Sequence, residues 1–391
     1  MKNKISLAGT LLLLTCACGW AQDETNGAET KSRKWKTKWE LAGDVGHNSN
    51  VFKLSPSGKS KLELNSPAYK TSGRFKDMES VDDYIISPSL GVKTGNKKDL
   101  LLGLGADYNK YLQNPKLSYL RLDFSAGKRL SKRSNAVFKS DLLPDRFQRN
   151  YLADATDLTG HVSPAERIYK AASYTQWLNS LAYKYRFIKQ KKGRAGVAGS
   201  LLAGYGTRKY NDPFKGRDRN VLRAEAAAHF ALTKDWNVKL AYDHRSVDSP
   251  VKREVLILDE ALFNLDLNNN GFATDTNIRT VQPVDRSFKS GTWALSTRFS
   301  ASKAVDFAAS YKSMSRDYSS SQALDPDHKD RVDKRRTFRG EMDYLIRKGL
   351  HFTAAYEHVR QDTNKKGDPA STGEVLDYSV DKVTVGLAYR F

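Results

Sequence analysis

The last nine residues, "VTVGLAYRF" (383–391), alternate with a period of two and stop on an aromatic side chain. Val383, Val385, Leu387, Tyr389 and Phe391 fall on one side, and Thr384, Gly386, Ala388 and Arg390 on the other. A period of two is the signature of a β-strand whose faces meet different surroundings. One face here takes bulky apolar and aromatic groups, and the other takes small or charged ones. A strand that ends a chain usually frays, so this one needs a neighbour on each side.

The same pattern recurs along the chain. "WNVKLAYDH" sets Trp236, Val238, Leu240 and Tyr242 against Asn237, Lys239, Ala241 and Asp243. "GTWALSTRF" sets Trp293, Leu295 and Phe299 against Thr292, Ala294, Ser296 and Arg298. "VDFAASYKS", "LRLDFSAG" and "AYKYRFI" repeat it. A soluble sandwich would also alternate. Two further features favour a transmembrane barrel: aromatics near the ends of the apolar face, and charge recurring on the other face of nearly every segment.

Reading runs against turns gives about 14 segments, with 12–16 the range, each near the length of a membrane-spanning strand. They lie near 35–53, 82–95, 100–112, 117–130, 136–150, 171–188, 196–210, 219–232, 236–247, 288–301, 304–318, 335–347, 350–361 and 377–391. Connections alternate between short turns ("GNKKD", "SKRSN", "QKKGR", "TKD", "SK", "RKG") and longer stretches, of which 54–81 and 248–287 are the longest. Only "QNPK" is short where a long connection is due. Short periplasmic turns and long outer loops are expected of an outer-membrane barrel. The fold expected is all-β: one antiparallel up-and-down transmembrane barrel spanning 35–391. Pro144 weakens the fifth segment, because proline cannot donate to a ladder.

The front of the chain reads as an export signal. Lys2 and Lys4 precede "ISLAGTLLLLTCAC", and "GWAQ" fits cleavage after Ala21. That assigns 1–21 to a signal peptide and 22–34 to a short periplasmic segment, with no periplasmic or plug domain expected. Cys16 and Cys18 lack the spacing of a lipoprotein signal and fall within the cleaved part. The mature chain therefore has no disulfide, and a closed sheet in a bilayer offers another source of stability. No apolar run outside the N-terminus is long enough for a spanning helix.

The formal net charge is +21. Export makes nucleic acid an unsuitable partner. Phosphorylated glycolipids such as lipopolysaccharide, or anionic solutes, suit the charge, as does mere solvation of long loops. By alternation, Arg121, Arg129, Lys184, Arg186, Arg208, Arg223, Lys239, Arg245, Arg298, Lys312, Arg339 and Lys382 face inward. Asp107, Asp123, Glu225, Asp243, Asp306, Glu341 and Asp343 oppose them. Such rows set a transverse field that selects solutes by sign, or they pair across strands and fill the barrel.

"LDLNNNGFATDTN" places Asp266, Asn268 and Asn270 at alternate positions of a calcium-loop pattern, with Gly271 for the turn. Asn277 stands where a bidentate Glu belongs, so a weak extracellular-type site and a plain Asn/Gly turn both fit. No other cofactor is implied. Candidate hydrolytic pairs, Asp243–His244 and Glu357–His358, are chain neighbours that point to opposite faces. His229 and His351 read as isolated, and no G-x-S-x-G is present.

The C-terminal pattern through Thr384, Gly386, Tyr389 and Phe391 resembles the signal by which outer-membrane barrels are delivered to the barrel-assembly machinery. "GDVGHNSNVF" (43–52) is similar to the "G-x-D-S-N-V-F" opening strand common in β-barrel porins of Gram-negative bacteria, with His47 departing from it. The resemblance implies a non-enzymatic outer-membrane channel for small hydrophilic solutes, and the basic excess of the inward face adds anionic solutes as the sharper expectation. A surface structural or adhesion barrel, and a barrel hydrolase, are the alternatives.

Overall fold

Phe391 ends against Trp39. The Trp39 amide donates to the Phe391 carbonyl at 2.8 Å, and the Phe391 amide to the Trp39 carbonyl at 3.1 Å. The ladder continues through Leu41↔Tyr389, Val45↔Val385 and Asn48↔Lys382, so the last strand pairs antiparallel with the first and the sheet has no edge. The computed structural model describes residues 35–63, 78–96, 100–152, 169–191, 195–249, 252–257, 279–320, 328–364 and 377–391.

The strands are β1 Lys36–Asn48, β2 Asp83–Gly95, β3 Leu100–Tyr111, β4 Tyr119–Arg129, β5 Ser134–Leu152, β6 Tyr169–Ile188, β7 Gly196–Tyr210, β8 Arg219–Ala231, β9 Trp236–Asp248, β10 Lys252–Ile257, β11 Arg279–Val284, β12 Phe288–Ser300, β13 Val305–Tyr318, β14 Val332–Arg347, β15 Leu350–Thr363 and β16 Tyr378–Arg390. Fourteen of them close the barrel in chain order, while β10 and β11 form a separate hairpin between β9 and β12. Strand boundaries fall within a few residues of those expected, except that β1 stops at Asn48. Beyond it the chain turns back on itself rather than extending to residue 53.

Pro144 does not interrupt β5. The register with β6 shifts between Leu143 and Arg146, and Asp145 takes φ 44°. Inside this bulge the proline displaces no ladder hydrogen bond, which is where a strand tolerates it.

The apolar face points outward. Leu41, Leu90, Leu181, Leu201, Leu240, Leu295 and Leu387 are between 43% and 64% exposed, a continuous apolar belt that water would not tolerate and lipid satisfies. Aromatics bound it on neighbouring strands. Tyr242 stacks on Trp293 at 4.9 Å, and Trp236 sits opposite Phe299 nearer the short turns. No helix among the described residues is long and apolar enough to cross a membrane.

The loop after β1 carries its own small core. Phe52, Leu54, Leu62, Met78 and Val81 are buried together, with Val51 and Leu117 against them. Helix α1, Pro56–Glu63, begins where Ser55 Oγ accepts from the Gly58 amide at 3.1 Å and proline fills the first helical position. The segments 1–21 and 22–34, residues 64–77 of the first long loop, and 258–278 of the second lie outside the described residues.

Phe391→Ser removes an outward aromatic at the seam where β16 meets β1. Lower outer-membrane levels and loss of heat-modifiable gel migration are expected. Unchanged migration and abundance would separate the closing strand from assembly.

Candidate functional site

Strand pleat fixes which side chains face the interior. Opposite the outward Leu240 and Leu295, the adjacent positions Lys239 and Ser296 pair directly and point inward. The same parity carries round the barrel to Ser310 and Arg339, then Glu357 and Lys382. At the end bearing the short turns, a cavity of about 770 Å³ is lined by Lys184, Arg186, His229, Lys239, Arg298, Arg339 and Glu341. Its walls come from strands distant in sequence, brought to one space by closure.

Many inward charges are paired. Arg121 donates to Asp141 at 2.5 Å. Arg223 bridges Asp243 at 2.5 Å and Glu225 at 2.7 Å, while Lys239 reaches Glu225 at 2.7 Å and Arg245 reaches Asp243 at 2.8 Å. Arg298 holds Asp306 at 2.6 Å, and Arg339 holds Glu341 at 2.9 Å. Asp343 accepts from His351 at 2.7 Å and lies 3.5 Å from Arg390. These partly wetted pairs each add little stability; they order the wall. Lys184, Arg186, Lys312 and Lys382 have no carboxylate at ion-pair distance among the described residues, although Lys382 acts on Asp44 from farther off. Asp107 and Asp123 likewise have no cation at that distance, and the interior keeps a positive surplus because inward Lys and Arg outnumber inward Asp and Glu.

Some residues gain partners that sequence spacing did not reveal. His229 is not isolated: its Nε2 lies 2.9 Å from Ser200 Oγ on the neighbouring strand. A nucleophile–base pair also needs a group orienting the ring's other nitrogen, and among the described residues none occupies that place. His351 likewise has Asp343 and Arg390 beside it. His358 faces outward and bonds Asp381 at 2.8 Å, so neither chain-adjacent pair forms a dyad. Glu40, Asp44, Asp141, Glu357 and Arg390 join the interior set. Extending the alternation of "KWELAGDVG" would have found the first two.

Thr384 and Gly386 point inward opposite Gly46 and Asp44, while Tyr389 and Phe391 point out. A Cβ at Gly386 would collide with the Asp44 carboxylate, which accounts physically for the glycine. Asp266, Asn268 and Asn270 lie outside the described residues.

Lys53 joins the interior set from the loop after β1. Its neighbours Phe52 and Leu54 are buried, yet its own side chain keeps a water-accessible surface within a protein-enclosed space. Burial, then the guanidinium groups of Arg335, Arg146, Arg149 and Arg316, push the ammonium down to about 7.

No family model and no curated protein matches the chain. Among solved structures it is similar to the outer membrane channel DcaP of Acinetobacter baumannii, at 10% identity and TM-score 0.43 over 94% of this chain and 100% of that one. It is similar to the Pseudomonas putida toluene transporter TodX at 11% identity and TM-score 0.41, over 90% of this chain and 89% of that one. An anion-selective porin from Comamonas acidovorans aligns at 11% identity and TM-score 0.35, over 92% of this chain and 99% of that one. Likenesses this distant carry no argument; the chain's own strand order shows a closed, 14-stranded β-barrel, and its outward apolar belt makes it a transmembrane one.

Proposed function

We propose that the protein is a porin-like channel of the outer membrane, passing small hydrophilic solutes by diffusion with preference for anions and performing no chemistry. One observation carries the reading. The barrel's inner wall is charged throughout, and Lys184, Arg186 and Lys312 add positive charge with no carboxylate at ion-pair distance among the described residues. A wall that served only to fill the barrel would balance its charges in pairs. Purified mature protein should give stable conductance steps in planar bilayers. An intact barrel that never conducts would favour the surface-binding alternative.

Several accessory roles belong to the same proposal. Residues 1–21 direct export and are removed, the C-terminal pattern engages the barrel-assembly machinery, and lipopolysaccharide surrounds the outer half of the belt. Asp266, Asn268 and Asn270 hold calcium in the long loop. If so, protease resistance of 248–287 rises with calcium and falls in Asp266→Ala; identical digestion with calcium and with chelator would leave only a turn.

A further inference from the structure

The turn after β1 is built around Asn50, which is 1% exposed. Its Oδ1 accepts from the Leu54 amide at 2.8 Å, and its Nδ2 donates to the Leu54 carbonyl at 2.8 Å and to the Ser379 carbonyl at 3.1 Å. The Lys53 amide donates to the Asn50 carbonyl at 3.1 Å. Inside this clamp Lys53 takes φ 57°, a left-handed conformation that residues other than glycine seldom adopt. Burying Phe52 and Leu54 in the loop core turns the lysine between them away from that core. The turn thus holds a cation in a fixed, unfavoured backbone state, an outlier of the kind that clusters at ligand clamps.

The walls around it supply more positive charge. The charges acting most strongly on its ammonium are Arg335 of β14, Arg146 and Arg149 of β5, and Arg316 of β13. Strands β5 and β14 lie on opposite sides of the ring, so a group that feels both stands across the passage. Pleat parity turns Arg335 the same way as Arg339, Arg316 the same way as Lys312, and Arg146 toward the interior opposite Tyr174.

The carboxylate beside Arg316 is already engaged. Asp333 is fully buried, accepts from Arg331 at 2.8 and 3.1 Å, and lies 3.5 Å from Arg316. Lys53, Arg146 and Arg335 have no carboxylate at ion-pair distance among the described residues. Arg146 instead lies 4.2 Å over the Tyr119 ring, and Arg316 lies 4.5 Å over Phe288. The Nε of Arg316 is buried and donates to no acceptor among the described residues. Gathering like charges is unfavourable unless something of opposite sign joins them. Guanidinium groups suit planar or tetrahedral oxyanions, because several donors can meet several oxygens at once.

We propose that Lys53, with Arg146, Arg316 and Arg335 on the facing walls, forms a binding site for a doubly charged oxyanion group, such as sulfate, phosphate or an ester bearing one. Arg149 adds to the field. The site deepens the anion preference proposed above and rests on the channel reading only for the route by which the anion arrives. Proton linkage follows from the surroundings. The arginines stay charged at all relevant pH, whereas Lys53 is charged below about 7 and neutral above it. A bound dianion favours the charged lysine, so binding takes up a proton and tightens as pH falls.

Sulfate is the probe, since its charge is constant through this range. Calorimetry on the folded mature protein in an uncharged detergent, in chloride buffer, should detect sulfate binding that is tighter at about pH 6 than at about pH 8. Lys53→Met and Arg335→Gln should each weaken it about tenfold or more. Lys53→Arg should keep the binding and flatten its pH dependence, a result that mere loop damage would not give. Heat-modifiable migration checks that each variant is folded. Absence of sulfate binding beyond chloride, or equal binding in the wild type and Lys53→Met, overturns the site. Conductance without sulfate binding would remove the site and leave the channel; sulfate binding without conductance would keep the site and remove the channel.

Discussion

Leu240→Arg is expected to lower the stability of the barrel in lipid by about 2–4 kcal/mol, the cost of a cation near the bilayer midplane. Leu240 is 43% exposed, sits directly opposite Leu295 and Ala228, and lies between the aromatic pairs Trp236–Phe299 and Tyr242–Trp293. An arginine there has lipid on its outer side and no carboxylate across the strand. One residue away, Lys239→Ser should leave the fold intact. It removes one partner of Glu225, but Arg223 still holds that carboxylate at 2.7 Å, and the position is wet. Denaturant unfolding of both variants in lipid vesicles checks this. Equal destabilisation would mean that the faces are misassigned, since a slip of one residue exchanges them.

The second large effect is expected from reversing charges that have no partner to lose. Lys184 sits opposite Asn135 and Ser200, and Lys312 opposite Ala294 and Thr337. Glutamate at both positions replaces two uncompensated cations with anions and orphans no carboxylate. The barrel should fold normally, because both sites face water. Its ion preference should move toward cations, more so at low salt where screening is weak. An unchanged preference in the folded double variant would place the selective charges elsewhere. Reversing Arg298 or Arg339 is a poorer test, because each would leave Asp306 or Glu341 without its partner.

Much of this architecture is legible in the sequence because a strand encodes its faces locally. Lys239 and Leu240 need only their neighbours to be assigned to opposite sides. The spanning segments emerge from the same alternation, and the turns between them from length. What sequence does not give is register and closure. Ser200 and His229 meet only because β7 and β8 pair in one register. Arg390 reaches Asp343 only because β14, β15 and β16 lie side by side. Lys53 was the least legible of all. A loop has no period to read, and its role depends on a left-handed turn, on the apolar neighbours that orient it and on arginines from strands on the far wall. Pro144 is illegible for a related reason: the rule against proline holds for a regular ladder, and β5 departs from one there.

The central claim is that the inner wall selects anions by its uncompensated positive charge. The most direct test is the reversal potential of the wild-type channel across a salt gradient, measured from low ionic strength up to about 0.1 M, where the screening length is about 10 Å. The account predicts a potential of the sign set by chloride, largest in dilute salt and shrinking as salt rises. A stable conductance whose reversal potential follows the cation would contradict it.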